Sequence, residues 1–496
     1  MKPQILYRLC ALSLLMAGQL TLSQAAPATV SARSQSRKQA LPAPGKATAK
    51  LPQISDEQYD NAVKILSQYI KIDTTNPPGN ETQGAQYLAD ILKANGIEAE
   101  LFETAPGRSI VYGRLRGSSK KKALVLLSHI DVVPAQAGDW KYPPFGGEIH
   151  DGELWGRGAI DMKGMGVIEL SALLALKQSG VKLDRDIIFL ATPDEEIGGT
   201  YGAKWMAEHK KDLLADAQYL INEGFSIDSY SGGKPKYWGV DFAEKSVLWL
   251  GLTANGLAGH GSMPMADSAN NRLLAALGRL AKNPPKMTLL PPVKEFFKAI
   301  ADTEASPLKE LYSTIDSSVA NNEPGLAADK LKASMLRNTV SITVLKAGYK
   351  TNVIPAQSYA ELDCRLLPGV EGPDFVEQVK KILDDPTIDV KILEWEKAVP
   401  SPFSGEMVEA IKKINKEEYG SASAVPVVPV VVPWFTDSHW FRELGIESYG
   451  FMPFEIDSEH LASMHGKDER LPLAAYRRGI NRMYRLLLEL AQAKAK

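Results

Sequence analysis

Five short segments carry side chains that can do chemistry together. Ser128-His129-Ile130-Asp131 closes an apolar run. A histidine there can bind a metal through one ring nitrogen while a carboxylate holds the other N–H. Gly156-Arg157-Gly158-Ala159-Ile160-Asp161-Met162-Lys163-Gly164 sets one aspartate among glycines, where backbone must bend sharply or approach something closely. Asp194, Glu195 and Glu196 follow Pro193, and three adjacent carboxylates repel one another unless something cationic compensates them. Asn222-Glu223-Gly224 offers a glutamate after another apolar run, and Ser463-Met464-His465-Gly466 brings a second histidine near the C-terminus. Each segment also has a plain structural reading: a structural histidine, an aspartate N-cap on a Gly-rich turn, a solvated acidic turn. Histidine with several carboxylates and no cysteine is the ligand set that suits zinc or a similar divalent ion in a hydrolytic site. The chain has 7 histidines, and both His129 and His465 stand in turn-forming contexts that core burial does not explain.

Three of these segments follow short apolar runs. Ile110 to Leu115, Ala123 to Leu127, Ile187 to Leu190 and Tyr219 to Ile221 read as buried strands, and helical patterns alternate with them: Tyr59 to Ile70 after an N-cap at Ser55, Thr82 to Asn95, Val167 to Gln178 and Ala203 to Glu208. That alternation predicts an α/β domain with a mostly parallel sheet, in which ligands sit beyond the carboxyl ends of the strands. The texture changes after Lys245. Strands over Val247 to Thr253, Thr339 to Leu345, Ser358 to Arg365 and Val390 to Trp395, with helices at Asn270 to Leu280 and Phe375 to Leu383, follow the order of a ferredoxin-like α+β sandwich. A mostly helical stretch over 283–334 is too long for a plain loop and reads as an elaboration of this insert. The α/β texture returns after Pro400, with a helix at Met407 to Tyr419, strands at Val425 to Val432 and Ser448 to Met452, and a last helix at Ala474 to Leu490. The expected organisation is a catalytic domain in two parts, 55–245 and 397–496, carrying the second domain over 246–396 between them.

With 496 residues the chain can bury more than one core, and 44% hydrophobic and 23% charged residues describe a globular protein. A net charge of -2 excludes the basic field that nucleic acid requires, and an anionic membrane is an equally poor partner. Lys2, Arg8, the apolar run Leu9 to Leu22 and Ser23-Gln24-Ala25 read as a signal peptide over 1–25, which implies export to the periplasm or beyond. Its apolar core is shorter than the roughly 20 residues a spanning helix needs. Loss of that peptide would leave Cys364 alone and no internal disulfide. Residues 26–54 read as a flexible basic leader.

These segments resemble the dizinc exopeptidase and amidase family that includes glutamate carboxypeptidase, aminoacylase, carboxypeptidase S, carnosinase-type dipeptidases and succinyl-diaminopimelate desuccinylase. The resemblance runs from Ser55 to the C-terminus. It implies that Asp161 bridges two metal ions, most simply zinc with cobalt or manganese as alternatives, that Glu196 and His465 complete one site, and that His129 and Glu223 complete the other. Glu195 then becomes the general base, Asp131 the partner of His129, and Asp194 a structural residue. The insert becomes a lid and dimerisation domain, whose His260, in Gly259-His260-Gly261-Ser262, donates to a tetrahedral oxyanion, often across a homodimer interface. Asn352 matches a substrate-binding position, and Arg365 is a candidate for one or a structural residue.

The resemblance leaves the substrate open between a small peptide, cleaved by a carboxypeptidase or dipeptidase, and an N-acyl amino acid, with a lean to the peptidase. A non-catalytic exported binding protein is the alternative from another class, which the intact ligand set and Glu195 disfavour. One departure stands out. Relatives have glycines before a Thr-Asp pair and a basic residue after it, whereas this chain reads Pro433-Trp434-Phe435-Thr436-Asp437-Ser438-His439. His439 then takes the place of the residue that holds a substrate carboxylate, and the aromatics either line an apolar substrate subsite or pack in the core.

Overall fold

The computed structural model describes residues 51–421 and 423–493. The expected signal peptide and the leader up to residue 50 lie outside the described residues. Within the described part, the chain from Leu51 onward forms one compact unit with two large sheets, each with its own apolar core, and two small sheets of two and three strands.

The larger sheet has eight strands in the order Glu98–Ala105, Arg108–Leu115, Ile187–Thr192, Ala123–His129, Ala217–Ser229, Glu447–Ile456, Pro235–Glu244 and Val427–Val432. The four strands from Ile187–Thr192 to Glu447–Ile456 are mutually parallel; Arg108–Leu115 and Pro235–Glu244 pair antiparallel with them, the latter with both Glu447–Ile456 and the end of Ala217–Ser229. The central strands Ala123–His129 and Ile187–Thr192 are buried along their whole length, as all-apolar runs between two helical layers must be. Two strands escape the apolar-run reading. Glu98–Ala105 is a half-exposed edge rich in glutamate, and Pro235–Glu244 mixes buried polar and aromatic residues.

The helix Lys163–Ser179 starts four residues before the expected Val167, because Gly164 and Gly166 are needed for close packing rather than for a turn. A Cβ at Gly164 would lie 2.0 Å from the Ala159 carbonyl oxygen. The helix is buried all round as far as Leu176, so its sequence shows little polar face. Its cap position is Met162, without a side-chain cap, so Asp161 is not the N-cap that its turn allowed. At the start of the fold, Ser55 caps Asp56–Ile70 in a capping box completed by Gln58.

The smaller sheet is wholly antiparallel, in the order Thr339–Ala347, Gln357–Leu366, Ser246–Asn255 and Asp389–Glu396. Numbered along the chain this is 2-3-1-4, the ferredoxin-like arrangement, and the helices Ala269–Lys282 and Gly372–Leu383 supply its core. The helical stretch expected to elaborate this insert packs elsewhere. Val293, Phe296, Phe297, Ile300, Tyr312 and Ile315 join the core of the larger sheet, and Phe296 meets Tyr237 edge to face at 5.7 Å between ring centres. Among the described residues, no helix is long and apolar enough to cross a membrane.

Candidate metal centre and cleft

Each expected ligand is delivered by a different device. His129 ends its buried strand, donates its Nδ1–H to the Asp131 carbonyl at 2.9 Å, and points Nε2 at Asp161 Oδ1 at 3.0 Å and Glu223 Oε2 at 3.7 Å. Asp161 turns its other oxygen, Oδ2, to His465 Nε2 at 3.0 Å, and Glu196 Oε2 lies 3.3 Å from the same nitrogen. Two ligand groups result, His129-Asp161-Glu223 and Asp161-Glu196-His465, with one aspartate common to both.

Glu223 does not stand at a strand end, as the apolar run Tyr219 to Ile221 implied. It lies inside the thirteen-residue strand Ala217–Ser229, at an irregularity where Asn222 pairs with Gly450 and Ser226 with Met452. Three intervening residues against one make a bulge that re-aims the glutamate, and the Phe225 N–H donating to Asp241 Oδ2 at 2.9 Å anchors it. His465 is brought in by the pairing of Arg470–Pro472 with Glu153–Trp155. The Asp161 loop bends at Gly158, whose φ of +85° favours glycine.

The acidic triplet divides by role. Asp194, in the left-handed region at φ +78°, is buried and tied to Arg108, to Asn76 Nδ2 at 3.3 Å and to the Tyr201 N–H at 3.0 Å. Its role is structural. Glu195 and Glu196 both have their backbone N–H held by the Asp131 carboxylate at 3.1 Å. Asp131 therefore supports the centre through a different atom than expected: His129 meets its carbonyl, while its carboxylate, 3.6 Å from Nδ1, fixes the triplet.

The residues fit divalent ions. Glu196 Oε1 is buried with no hydrogen-bond partner, and burial followed by the charge of Asp161 pushes the Glu223 carboxyl up to about 7. Three carboxylates face two imidazoles, with His129 and Asp161 buried and His465 exposed, and this constitutes a deficit of positive charge.

The ligands open onto a cleft of about 770 Å³ between the two sheets, lined by Glu195, Glu196 and His465 on one side and Val247, Trp249 and Arg365 on the other. Trp434, Phe435 and Trp440 also face it. Of the expected substrate residues, Arg365 reaches the cleft, its guanidinium held by Asp363 at 2.7 and 3.0 Å. His260 and Asn352 come together instead on the short strand pair Gly259–His260 and Val353–Ile354, where the Gly261 N–H donates to the Asn352 carbonyl at 2.8 Å. His260 is exposed and its Nδ1 lies 2.7 Å from Ser262 Oγ. His439 is buried behind the cleft's aromatic wall, and its Nε2 lies 3.5 Å from Glu396 and 3.6 Å from Glu443. Burial, then Arg442 and Lys204, bring its pKa down to about 4, so it is neutral. These three side chains form a third cluster able to hold an ion, separate from the two that share Asp161.

Two contributors had no distinct signal in the chain. Glu469 accepts from the Gly158, Ile160 and Asp161 N–H groups and from Arg157, which places Asp161. Asp437, buried and bonded to Thr192 Oγ1 at 2.7 Å, borders the triplet.

Residues 125–489 match the family described as Peptidase family M20/M25/M40. The chain belongs to that family. Its relatives include the probable carboxypeptidase S-like 2 of Dictyostelium discoideum, 29% identical over 76% of this chain and 74% of the relative. The N-fatty-acyl-amino acid synthase/hydrolase PM20D1 of Xenopus tropicalis is 31% identical over 70% of this chain and 68% of its own. The fold is shared with the M20 family metallo-carboxypeptidase Sso-CP2 of Sulfolobus solfataricus, at a TM-score of 0.65 and 21% identity over 88% of this chain and 99% of that one. As an M20 member the protein is a metal-dependent hydrolase of peptide or N-acyl amino acid bonds.

Proposed function

We propose that this M20 enzyme hydrolyses the amide bond joining an amino acid to an N-terminal acyl or aminoacyl group, uses zinc, and is exported. The observation that carries the reading is Asp161, whose two oxygens face His129 and His465 at 3.0 Å each, beside a cleft lined by Glu195. His129, Asp161 and Glu223 would hold one ion, and Asp161, Glu196 and His465 the other. Such ions, when bound, acidify water and polarise a carbonyl.

The chain's own residues do the rest. Asp131 holds the backbone of Glu195 and Glu196 together, so the base and the ligand keep a fixed relation. Glu195 accepts the proton of the attacking water and returns it to the leaving amine, a step worth about 10² to 10⁴ in rate. Trp249 and Trp434 give the cleft apolar surface on which an apolar substrate group can rest. Exposed His260, outside the cleft, supports a homodimer in which it serves the neighbouring copy's site. The basic start and apolar run over 1–25 support export.

The test is Glu195→Gln. The variant is expected to retain about two ions per chain by elemental analysis and to lose turnover of dipeptides and N-acyl amino acids by about 10² or more. Unchanged turnover overturns the assignment.

A further inference from the structure

A second cavity, of about 270 Å³, lies next to the metal centre and takes no part in the chemistry described above. Three of its lining residues fix its position. Gly224 follows the ligand Glu223, Met464 precedes the ligand His465, and Trp434 lines both this cavity and the cleft. The cavity is therefore bordered by the chain neighbours of two metal ligands, with Trp434 shared between it and the cleft.

One side of it is apolar and adaptable. Phe225, Tyr237 and Phe296 form a continuous aromatic wall, with ring centres 6.0 and 5.7 Å apart, Met335, Met452 and Met464 add flexible thioethers, and Asp228, Asp329 and Asp457 lie on its polar side. The lysines that reach it are already matched: Lys236 lies 3.6 Å from Asp228, and Lys332 2.8 Å from Glu304 and 3.1 Å from Asp329. No lining lysine is left over for an anionic guest, and an uncharged apolar group loses nothing by entering.

The far wall comes from the helical stretch that packs on the larger sheet, through Phe296 of Pro291–Ile300 and Met335 just after Lys330–Ser334. At ~30 Å³ for a water, and a similar share for a methylene, the cavity has room for about nine chain atoms.

We propose that this cavity is the subsite for an extended apolar acyl chain, so that the substrates are N-acyl amino acids of medium chain length, with Trp434 at the threshold and Phe296 and Met335 setting the length accepted. The inference rests on the amide-hydrolase reading and names the group on the acyl side of the bond. Placed here, the chain puts its carbonyl between the two ligand groups and leaves the amino-acid half in the cleft.

The test is a chain-length series on the metal-loaded full chain, with N-acetyl-, N-butyryl-, N-octanoyl- and N-palmitoyl-leucine and a leucine dipeptide as substrates. The wild-type kcat/KM is expected to rise by about 100-fold from acetyl to octanoyl and to fall again at palmitoyl. Two variants are read as ratios within each protein, so that a general loss of folded enzyme cancels. Met335→Trp, which fills the cavity, is expected to lower the octanoyl-to-acetyl ratio by about tenfold, and Phe296→Leu, which lengthens it, to raise the palmitoyl-to-octanoyl ratio. Opposite shifts from a filling and an enlarging change cannot come from loss of stability. A flat series with the acetyl substrate or dipeptide hydrolysed overturns the acyl subsite and leaves the amide hydrolase standing. A length preference that neither variant moves also overturns it, because the chain then binds elsewhere. Absence of turnover on every amide overturns the amide-hydrolase reading itself.

Discussion

Four donors converge on the two carboxyl oxygens of Glu469: the Arg157 guanidinium at 2.7 Å and the N–H groups of Gly158, Ile160 and Asp161 at 3.0, 2.8 and 3.0 Å. Its carboxylate is the template around which the Asp161 loop closes. Glu469→Ala would leave those buried donors unpaired, at about 3 to 5 kcal/mol in urea unfolding, and would weaken metal binding by about 10- to 100-fold in competition titrations. Unaltered metal affinity would mean that the loop holds its shape without the clamp. Glu169 is the opposite case, a carboxyl in the middle of the Lys163–Ser179 helix with both oxygens buried and unpartnered. Burial pushes its pKa well above the usual 4.5. The folded chain thus keeps a proton that the unfolded chain releases, so the stability is full below pH 4.5 and declines as pH rises toward the raised value. Glu169→Met is expected to gain about 1 to 3 kcal/mol in mildly alkaline buffer and little in acid, measured by denaturation across pH. An equal gain at both ends would place the cost in packing.

At the scale of elements, the helical stretch 291–334 changes its meaning once its contacts are known. Its apolar residues recur at helical spacing wherever it packs, so the spacing could not say which sheet it covers. Phe297 sits within it, 1% exposed, with Phe296 at 5.2 Å and Tyr312 at 4.8 Å between ring centres. Phe297→Ala is expected to cost about 3 to 5 kcal/mol and to expose amides of the Pro235–Glu244 and Val427–Val432 strands to hydrogen exchange. If the smaller sheet loosened instead, the packing described here would be wrong. The bulge at Glu223 is the second element-scale device, since a regular strand would have alternated that glutamate with its neighbours across the sheet rather than aiming it at His129.

For the whole molecule, the centre joins parts of the chain far apart in sequence. His129, Asp161, Glu196 and Glu223 come before the smaller sheet, and His465 comes after it. Ions held by both parts link them, and Asp161, Glu196 and Glu223 repel one another without that charge. Chelation is therefore expected to lower Tm and remove activity together. Added zinc should restore both, with a stabilisation of about 4 kcal/mol at a thousandfold excess over Kd. A Tm insensitive to chelator would show that the centre adds nothing to folding.

The parallel sheet, the ferredoxin-like order of the smaller domain, and the residue types of two candidate ligand groups were legible in the chain. All-apolar runs must be buried on both faces, and histidine with clustered carboxylates has few other uses. The rest depended on contacts between distant residues. Which atom of Asp131 meets His129, why Glu469 shapes the Asp161 loop, where the 291–334 helices pack, and that Trp434 lines both the cleft and the second cavity follow from side chains meeting across as many as 308 residues of chain. Periodicity and spacing are local properties. A ligand's type is written in its own residue, but its direction is set by the neighbours that folding brings to it.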